Sequence, residues 1–242
     1  MPLPSNALSV IAPVVTRTVG MQDRVHDLLG TSFLVGQRLF MSAKHVFGVI
    51  PQVGQELAVV SHGEALSAHL AEVIYQDPKH DIAIARVTQW PGDGGPLAIT
   101  PTDILTMNSN VLTGEFSPTR SGVQLSDGRT AMAISVNWQK GNIVREYRPD
   151  FGYANETACI DLSYPALKGA SGAPVIEEQS GYVLGMIVAN IERQLMPAQV
   201  ERTERPDGTK DEVIRYFLPS AQALRASHLR EALSRVMDEQ DR

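Results

Sequence analysis

The sequence predicts an all-β protein that carries a C-terminal α-helix. Short apolar runs of strand length follow one another from residue 9 to residue 191. Segments rich in Gly, Pro, Asp and Ser separate these runs, and such regularly spaced turns are typical of a β-sandwich or β-barrel. No alternation of strands with long helical segments is visible, so we do not expect a parallel α/β sheet.

The predicted elements fall in a simple order along the chain. The apolar runs are SVIAPVV, TSFLV, RLFMSA, ELAVVS, HLAEVIY, DIAIARV, AMAISVNW, ACIDLSY, APVIEE and YVLGMIVANI. A charged hairpin is predicted around Pro206-Asp207-Gly208. After Pro219, Leu224, Leu229, Leu233 and Val236 or Met237 lie close to one helical face, with Ser220 as the expected N-cap, and this stripe is expected to pack on the β body.

Length, charge and cysteine content exclude several classes of protein. A chain of 242 residues with 43% hydrophobic side chains can form one domain with a sizeable core. Its formal charge of -6 disfavours a nucleic-acid partner, because proteins that bind nucleic acids usually carry a concentrated basic patch. A single cysteine fits a reducing compartment. Neither a signal peptide nor an apolar stretch of roughly 18 residues is evident, so we expect a cytoplasmic protein with no membrane partner.

A serine lies in a run of small residues late in the chain. Ser171 stands between Ala170 and Gly172 in the segment LKGASGAPVI. Glycines allow a tight turn whose amide N–H groups point outward, and paired amides beside a hydroxyl can hold the negative charge that develops in acyl transfer. Because loops commonly contain these residues, the turn alone does not establish a nucleophile.

His45 and Asp81 can supply what a serine nucleophile requires. A serine hydroxyl reacts poorly near neutral pH unless a base lies within hydrogen-bond reach. His45 follows the apolar run RLFMSA, so we expect its side chain at a strand end. Asp81 opens the apolar run DIAIARV, where it is either a solvated strand end or an acid beside a partner. A carboxylate beside the histidine would select its tautomer and stabilise the imidazolium.

In the order His, Asp, Ser, these segments resemble the trypsin-like peptidases of the chymotrypsin fold. GTSFLVGQRLFMSAKHVF is similar to the family's strand, turn, strand and histidine, with SAKH in place of TAAH. HDIAIARV resembles the strand with the aspartate, and GASGAPVI resembles the GDSGGP or GNSGGP loop. GYVLGMIVANI and YFLPSAQAL are similar to the last strands of the HtrA-type branch. The resemblance runs from about residue 30 to about residue 230.

The resemblance implies two six-stranded antiparallel β-barrels with the site between them. His45, the general base, and Asp81, which orients it, would come from the first barrel. Ser171, the nucleophile, would come from the second, and the amides of Gly169 and Ser171 would form the oxyanion hole. The expected parts of a single domain at 1–242 are a first barrel at about 1–95, a second barrel at about 100–218 and a helix at 219–240.

Two positions depart from the pattern of secreted trypsins. Ala170 replaces the aspartate that pairs with a newly cleaved N-terminus, so we expect a working site without N-terminal processing. Ala173 replaces the second glycine after the nucleophile. Relative to the HtrA-type branch, no PDZ domain is expected after the terminal helix.

The resemblance also implies which segments line the pocket for the residue before the scissile bond. The candidate substrate-binding residues are Pro165, Val188, Ala189, Asn190 and Arg215. Pro165 lies where trypsins place the aspartate that attracts Lys and Arg, and an uncharged pocket cannot offset the burial of a cation. We therefore expect a small or medium apolar residue, such as Ala, Val, Leu or Met. An inward-pointing Arg215 would instead favour an acidic residue.

The other reactive side chains carry no predicted role. His80 is expected on the opposite face of a strand from Asp81, and hence exposed. The remaining histidines lack ligand spacing, so neither a metal nor another cofactor is expected. These histidines are His26, His62, His69 and His228. Cys159 has apolar neighbours and is interpreted as a small buried hydrophobe.

Two functions of different classes fit this pattern. The first is a serine endopeptidase that hydrolyses a protein or peptide substrate through an acyl-enzyme intermediate. The second is a catalytically silent trypsin-like scaffold that binds or regulates a protein, since fold alone does not determine function. A regulatory protein partner is compatible with either. The presence of all three residue types favours the enzyme.

Overall fold

The computed structural model describes most of both halves of the chain. The described residues are 7–21, 23–61, 67–92, 94–118, 123–124, 130–131, 134–147, 157–194 and 217–240. The predicted hairpin around Pro206, together with His62 and Arg215, lies outside them.

Two closed antiparallel barrels of six strands each form the body of the protein, as predicted. The first barrel contains β1 (Ile11–Thr18), β2 (Val25–Gly36), β3 (Leu39–Ser42), β4 (Gln55–Ser61), β5 (Ser67–Gln76) and β6 (Ala83–Val87). The second contains β7 (Asn110–Pro118), β10 (Ile134–Tyr147), β11 (Cys159–Leu162), β12 (Pro174–Glu177), β13 (Val183–Gln194) and β14 (Phe217–Arg225). A separate two-stranded sheet pairs β8 (Val123–Gln124) with β9 (Thr130–Ala131).

The strand order places β3 beside β6 in the first barrel. This barrel closes in the order β1, β2, β3, β6, β5, β4, and the second closes in the order β10, β11, β14, β13, β12, β7. All four residues of β3 are buried. Phe33, Phe40 and Ile84 are completely inaccessible to solvent in the first core, and Phe40 meets the ring of Trp90 edge-on at a centroid distance of 4.6 Å. A tightly packed core therefore fixes where β3 and β6 end.

The C-terminal helix begins later than the predicted boundary at residue 219. The helices are α1 (Ala7–Val10), α2 (Lys44–Phe47) and α3 (Ala226–Gln240). Ser220, the expected N-cap, lies instead in β14, which pairs with β13 along its whole length. The strand pairing that closes the second barrel thus outweighs the helical spacing that Leu224 shares with the later apolar residues of the helix. Among the helices in the described ranges, none is long and apolar enough to cross a bilayer.

Helix α3 packs one apolar stripe on the β body, as the sequence predicted. Leu229 and Ala232 are fully buried, and Val236 is 3% exposed, whereas Met237 is 47% exposed. The stripe therefore uses Val236 rather than Met237. It joins the same cluster as Met186 of β13.

Candidate active site

His45 projects from a single helical turn that follows β3. Ala43 is extended, and Val46 N–H donates to its carbonyl at 3.0 Å, so the chain turns directly after the strand. Val46 and Phe47 are 1% exposed and anchor this turn in the first core. Since adjacent residues on a helical turn point in different directions, the burial of Val46 and Phe47 leaves His45 on the solvent side, with its side chain 51% exposed.

Asp81 reaches His45 because β3 and β6 are neighbours. Ser42, at the end of β3, pairs with Ala83, at the start of β6. Asp81 lies in a bend two residues before β6 rather than in the strand itself, which corrects the prediction that it opens the strand. The bend places its carboxylate beside His45.

Both carboxylate oxygens of Asp81 bind the same histidine residue. The backbone N–H of His45 donates to Oδ1 at 2.9 Å, and Nδ1–H donates to Oδ2 at 2.6 Å. Binding at Nδ1 leaves Nε2 as the nitrogen that can accept a proton. The hydrogen bond to Asp81 raises the pKa of His45 despite partial burial, which acts in the opposite direction. Burial raises the pKa of Asp81, but hydrogen bonds from His45 outweigh it and leave this pKa below its ordinary value.

Asp77 organises the bend that presents Asp81, and sequence reasoning did not identify it. Its Oδ1 accepts the backbone N–H groups of Lys79 and His80, each at 2.8 Å, and its Oδ2 accepts the hydroxyl of Tyr75 at 2.9 Å. Burial raises the pKa of Asp77, yet these hydrogen bonds lower it to about 2. The Asp-Pro turn signal at residues 77–78 was the sequence feature that could have indicated this role.

His80 is largely buried, which corrects the prediction that it is exposed. Its side chain is 11% exposed, and Nδ1 lies 3.1 Å from Oδ1 of Asp77. Its ring stacks on that of His228 in α3 at a centroid distance of 4.1 Å. The strand-alternation argument failed because residues 77–81 form a bend instead of a strand. His80 still makes no described contact with His45.

Ser171 lies in a tight turn between β11 and β12. Ala170 N–H donates to the carbonyl of Leu167 at 3.0 Å, and Ala173 N–H donates to the carbonyl of Ala170 at 2.8 Å. Gly169 and Gly172 have φ values of +99° and +87°, which glycine adopts readily. The turn is therefore defined on both sides of Ser171.

Thr31 of the first barrel fastens this turn from the opposite side. Its backbone N–H donates to the carbonyl of Ser171 at 2.9 Å, and its hydroxyl donates to the carbonyl of Gly169 at 2.7 Å. The same hydroxyl accepts the backbone N–H of Phe116 at 3.0 Å. Sequence reasoning did not identify Thr31, because nothing local in the run TSFLV indicates a partner in the second barrel.

These contacts bring the Ser171 turn against the segment that carries His45. Both segments pack against Gly30: the position that a Cβ would take there lies 2.7 Å from Cγ2 of Val46 and 2.8 Å from the carbonyl oxygen of Ser171. Val46, which follows His45, and Ser171 therefore lie on two sides of the same point. Both Ser171 and His45 belong to the described residues, and no hydrogen bond joins Ser171 Oγ to the imidazole there. In free enzymes such bonds are often long and shorten only when substrate binds.

Two backbone amides of the Ser171 turn remain available to a ligand. Within the described residues, the N–H groups of Gly169 and Ser171 donate to no backbone carbonyl, whereas that of Ala170 between them is used. The carbonyls of Gly169 and Ser171 are both occupied by Thr31. Amides fixed in this way can stabilise an oxyanion without reorganisation.

A Gly172→Ala substitution tests how closely the barrels meet at this turn. A Cβ at Gly172 would overlap Ser42 Oγ and the carbonyl of Thr31, in addition to the strain of its positive φ. We expect a loss of stability greater than the ~1–2 kcal/mol that left-handed backbone alone costs. Gly54→Ala is the matched control, because Gly54 has φ +83° and open space around its Cβ position. Urea unfolding should rank Gly172→Ala as clearly less stable than Gly54→Ala, and equal losses would contradict the close approach.

The predicted specificity segments lie side by side next to the turn. Pro165 is partly buried and its carbonyl accepts Nε2 of Gln139 at 3.0 Å. Val188 is partly buried, and Ala189 and Asn190 are exposed, in the part of β13 that follows Ile187, whose carbonyl accepts the N–H of Gly172. Arg215 lies outside the described residues, so its alternative role stays a prediction.

Two small side chains next to Ser171 are buried in the core of the second barrel. Ala170 and Ala173 are completely buried and pack with Val175 and Ile187.

The pKa of Cys159, which is also buried, is raised to about 11, chiefly by burial, so its thiol stays protonated and unreactive near neutral pH. In the described part of the chain, no group of three or more His, Cys, Asp and Glu residues could hold a metal ion.

The chain belongs to the family described as the trypsin-like peptidase domain. Residues 30–186 match this family and contain both barrel segments with His45, Asp81 and Ser171. The two closed barrels and the family match therefore both indicate a trypsin-like peptidase domain. A comparison with curated proteins gives no match.

Solved structures with the same fold include several bacterial proteases. The HtrA-type protease AlgW, solved with a decapeptide, has a TM-score of 0.61 at 12% identity, over 97% of this chain and 66% of that one. The active form of the Rv3671c protease from M. tuberculosis has a TM-score of 0.57 at 18% identity, over 96% and 83%. The MamO protease domain from Magnetospirillum magneticum has a TM-score of 0.56 at 12% identity, over 94% and 97%.

Proposed function

We propose that the protein is a serine endopeptidase, with Ser171 as nucleophile, His45 as general base and Asp81 as the residue that orients the histidine. The observation that carries this proposal is the pairing of His45 with both oxygens of Asp81, on a segment that abuts the Ser171 turn. A family of peptidases and a peptide-bound structural relative support a protein or peptide as the substrate class.

The proposed reaction begins with attack of Ser171 Oγ on the carbonyl carbon of a peptide bond. His45 Nε2 accepts the hydroxyl proton as the Oγ–C bond forms, and Asp81 stabilises the resulting imidazolium through Nδ1–H. The carbonyl oxygen becomes an oxyanion, for which the amides of Gly169 and Ser171 are the available donors.

Collapse of the tetrahedral intermediate breaks the C–N bond. The proton held on His45 passes to the departing amine, and the acyl group stays on Ser171 as an ester. Water then attacks this ester while His45 takes a proton from it. The proton passes from His45 to Ser171 Oγ as the Oγ–C bond breaks, which releases a carboxylic acid and restores the free serine. No cofactor is needed for any of these steps.

Labelling with a fluorophosphonate probe tests the proposal directly. The probe forms a bond only with an activated serine, so we expect the untreated full-length protein to label and the adduct to map to the peptide that contains Ser171. The absence of Asp at position 170 supports labelling without N-terminal cleavage. Labelling that appeared only after such cleavage would contradict this expectation, and no labelling in either form would favour the silent scaffold.

The pH dependence should reflect the raised pKa of His45. A general base must be neutral, so the labelling rate falls as the pH drops through the pKa of His45. Because the hydrogen bond to Asp81 raises that pKa, the acid limb should lie above the ordinary histidine value of 6.5. Labelling rates measured from pH 4 to pH 9 check this position. An acid limb well below pH 6.5 would show that the hydrogen bond from His45 to Asp81 does not set the pKa of the general base.

A further inference from the structure

The Ser171 turn is flanked by two segments that follow different courses through the second barrel. Residues 165–168 lead directly into Gly169 and Ser171. Strand β13 passes the other side, since Gly172 N–H donates to the carbonyl of Ile187 at 2.7 Å and Ile187 N–H donates to the carbonyl of Ala173 at 2.9 Å. Residues 188–190 therefore continue past the nucleophile, facing residues 165–168.

The side chain of Asn190 bridges these two segments. Its Oδ1 accepts the backbone N–H of Ala166 at 2.7 Å, and its Nδ2–H donates to the carbonyl of Ala166 at 2.7 Å. One amide thus occupies both hydrogen-bonding groups of Ala166, much as a neighbouring strand would. Asn190 is nevertheless exposed, so the bridge lies at the open side of the space between the segments.

The loop on the far side of this bridge is itself held in place. Gln139 Nε2 donates to the carbonyl of Pro165 at 3.0 Å and to Glu115 Oε1 at 2.7 Å. Glu115 is completely buried, and the backbone N–H of Leu167 also interacts with its carboxylate. Because Thr31 fixes the next residues, the loop cannot move away from β13 without losing several of these contacts.

We infer that Asn190 restricts the enzyme to substrates with a small residue, Gly, Ala or Ser, immediately before the scissile bond. This inference rests on the proposed function. A substrate whose carbonyl carbon meets Ser171 Oγ and whose oxygen meets the Gly169 amide carries its side chain only two bonds from that carbon. The resemblance to trypsin-like peptidases implies that this side chain lies between residues 165–168 and 188–190, and the Asn190 amide spans the space between these two segments.

A larger side chain is disfavoured because it must displace the bridge. Displacement breaks two hydrogen bonds and places apolar atoms against the N–H and C=O of Ala166, which then lack partners. A methyl group or a hydrogen atom fits without this loss. The inference therefore replaces the preference for Ala, Val, Leu or Met expected from Pro165 with a preference for Gly, Ala or Ser at the same substrate position.

Fluorogenic peptides that differ only in the residue before the scissile bond, Ala or Leu, provide the test. We expect the wild type to favour Ala in kcat/KM by about tenfold or more, and Asn190→Gly to shift the Leu-to-Ala ratio by at least about tenfold toward Leu. Asn190→Ala, which keeps a Cβ in the strand, should shift the ratio in the same direction. Asn110→Gly makes the same change at the exposed start of β7, beside Glu178 and past the end of β12 that is farther from the turn, and should leave the ratio unchanged.

Fluorophosphonate labelling of the same proteins separates the two levels of the proposal. The probe carries no amino-acid side chain, so it reports an activated Ser171 whatever the width of the pocket, and it also shows which variants have folded. Wild-type labelling together with equal cleavage after Ala and Leu would overturn the inference about Asn190 alone. Labelling of both Asn190 variants with an unchanged Leu-to-Ala ratio would overturn it as well. A wild type that does not label would overturn the proposed function and this inference with it.

Discussion

Ser171→Ala should abolish both probe labelling and peptide hydrolysis while the protein remains folded. The hydroxyl of Ser171 supplies the bond-forming atom in the proposed mechanism, and loss of a triad nucleophile reduces turnover by on the order of 10⁴-fold or more. The fold should persist because the turn is held by backbone contacts, such as that from Thr31 to the carbonyl of Ser171. Circular dichroism and thermal melting check this second expectation.

Ser163→Ala is the matched control for this result. Ser163 is an exposed serine in the same barrel whose hydroxyl donates to Oδ1 of Asn142. Its replacement should preserve labelling. Hydrolysis that continued in purified Ser171→Ala protein would refute the assignment of the nucleophile, and loss of activity in Ser163→Ala alone would redirect attention to that serine.

Asp81→Asn should reduce turnover by about 10⁴-fold, the second largest effect we expect. The amide keeps the size of the carboxylate but no longer stabilises the imidazolium and can favour the wrong tautomer of His45. The acid limb of the pH profile should move to lower pH, because the hydrogen bond and the charge that raise the pKa of His45 are weakened. Single-turnover labelling rates over a pH series measure both effects.

His80→Ala separates this chemical role from the structural role of the same bend. His80 packs on His228 and faces Asp77, so its removal should cost about 1–2 kcal/mol of stability, a loss of about 2–8 °C in Tm. Labelling per folded molecule should be largely retained. If His80→Ala impaired labelling more than Asp81→Asn, Asp81 would not be the residue that orients the base.

The candidate triad could be predicted because each of its segments has a strong local signature. His45 follows a fully buried strand, Asp81 lies two residues before another strand, and Ser171 lies in a turn that requires glycine. Short-range apolar patterns therefore indicated the strands, and the order of the three motifs indicated the family. The two closed barrels followed from that resemblance rather than from the pattern alone.

Other features depended on contacts between distant parts of the chain. The start of α3 was predicted too early, because the barrel-closing pairs of β14 with β13 outweigh a helical spacing that begins at Leu224. The burial of His80 follows from a bend organised by Asp77 and from a helix more than 140 residues later in the sequence. The bridge from Asn190 to Ala166 likewise exists only once β13 lies beside the turn. Apart from the Asp77-Pro78 turn signal, these contacts leave no local pattern in the sequence.

The contacts of Thr31 link the geometry of the Ser171 turn to the docking of the two barrels. Thr31 lies in the first barrel, while the two carbonyls it holds, those of Gly169 and Ser171, are translated about 140 residues afterwards. A partly synthesised chain, or one whose halves have not docked, therefore lacks the two hydrogen bonds from Thr31 to this turn. If Ser171 is the nucleophile, as we propose, we expect the turn to reach its final geometry, and the protein its activity, only after the two barrels have docked.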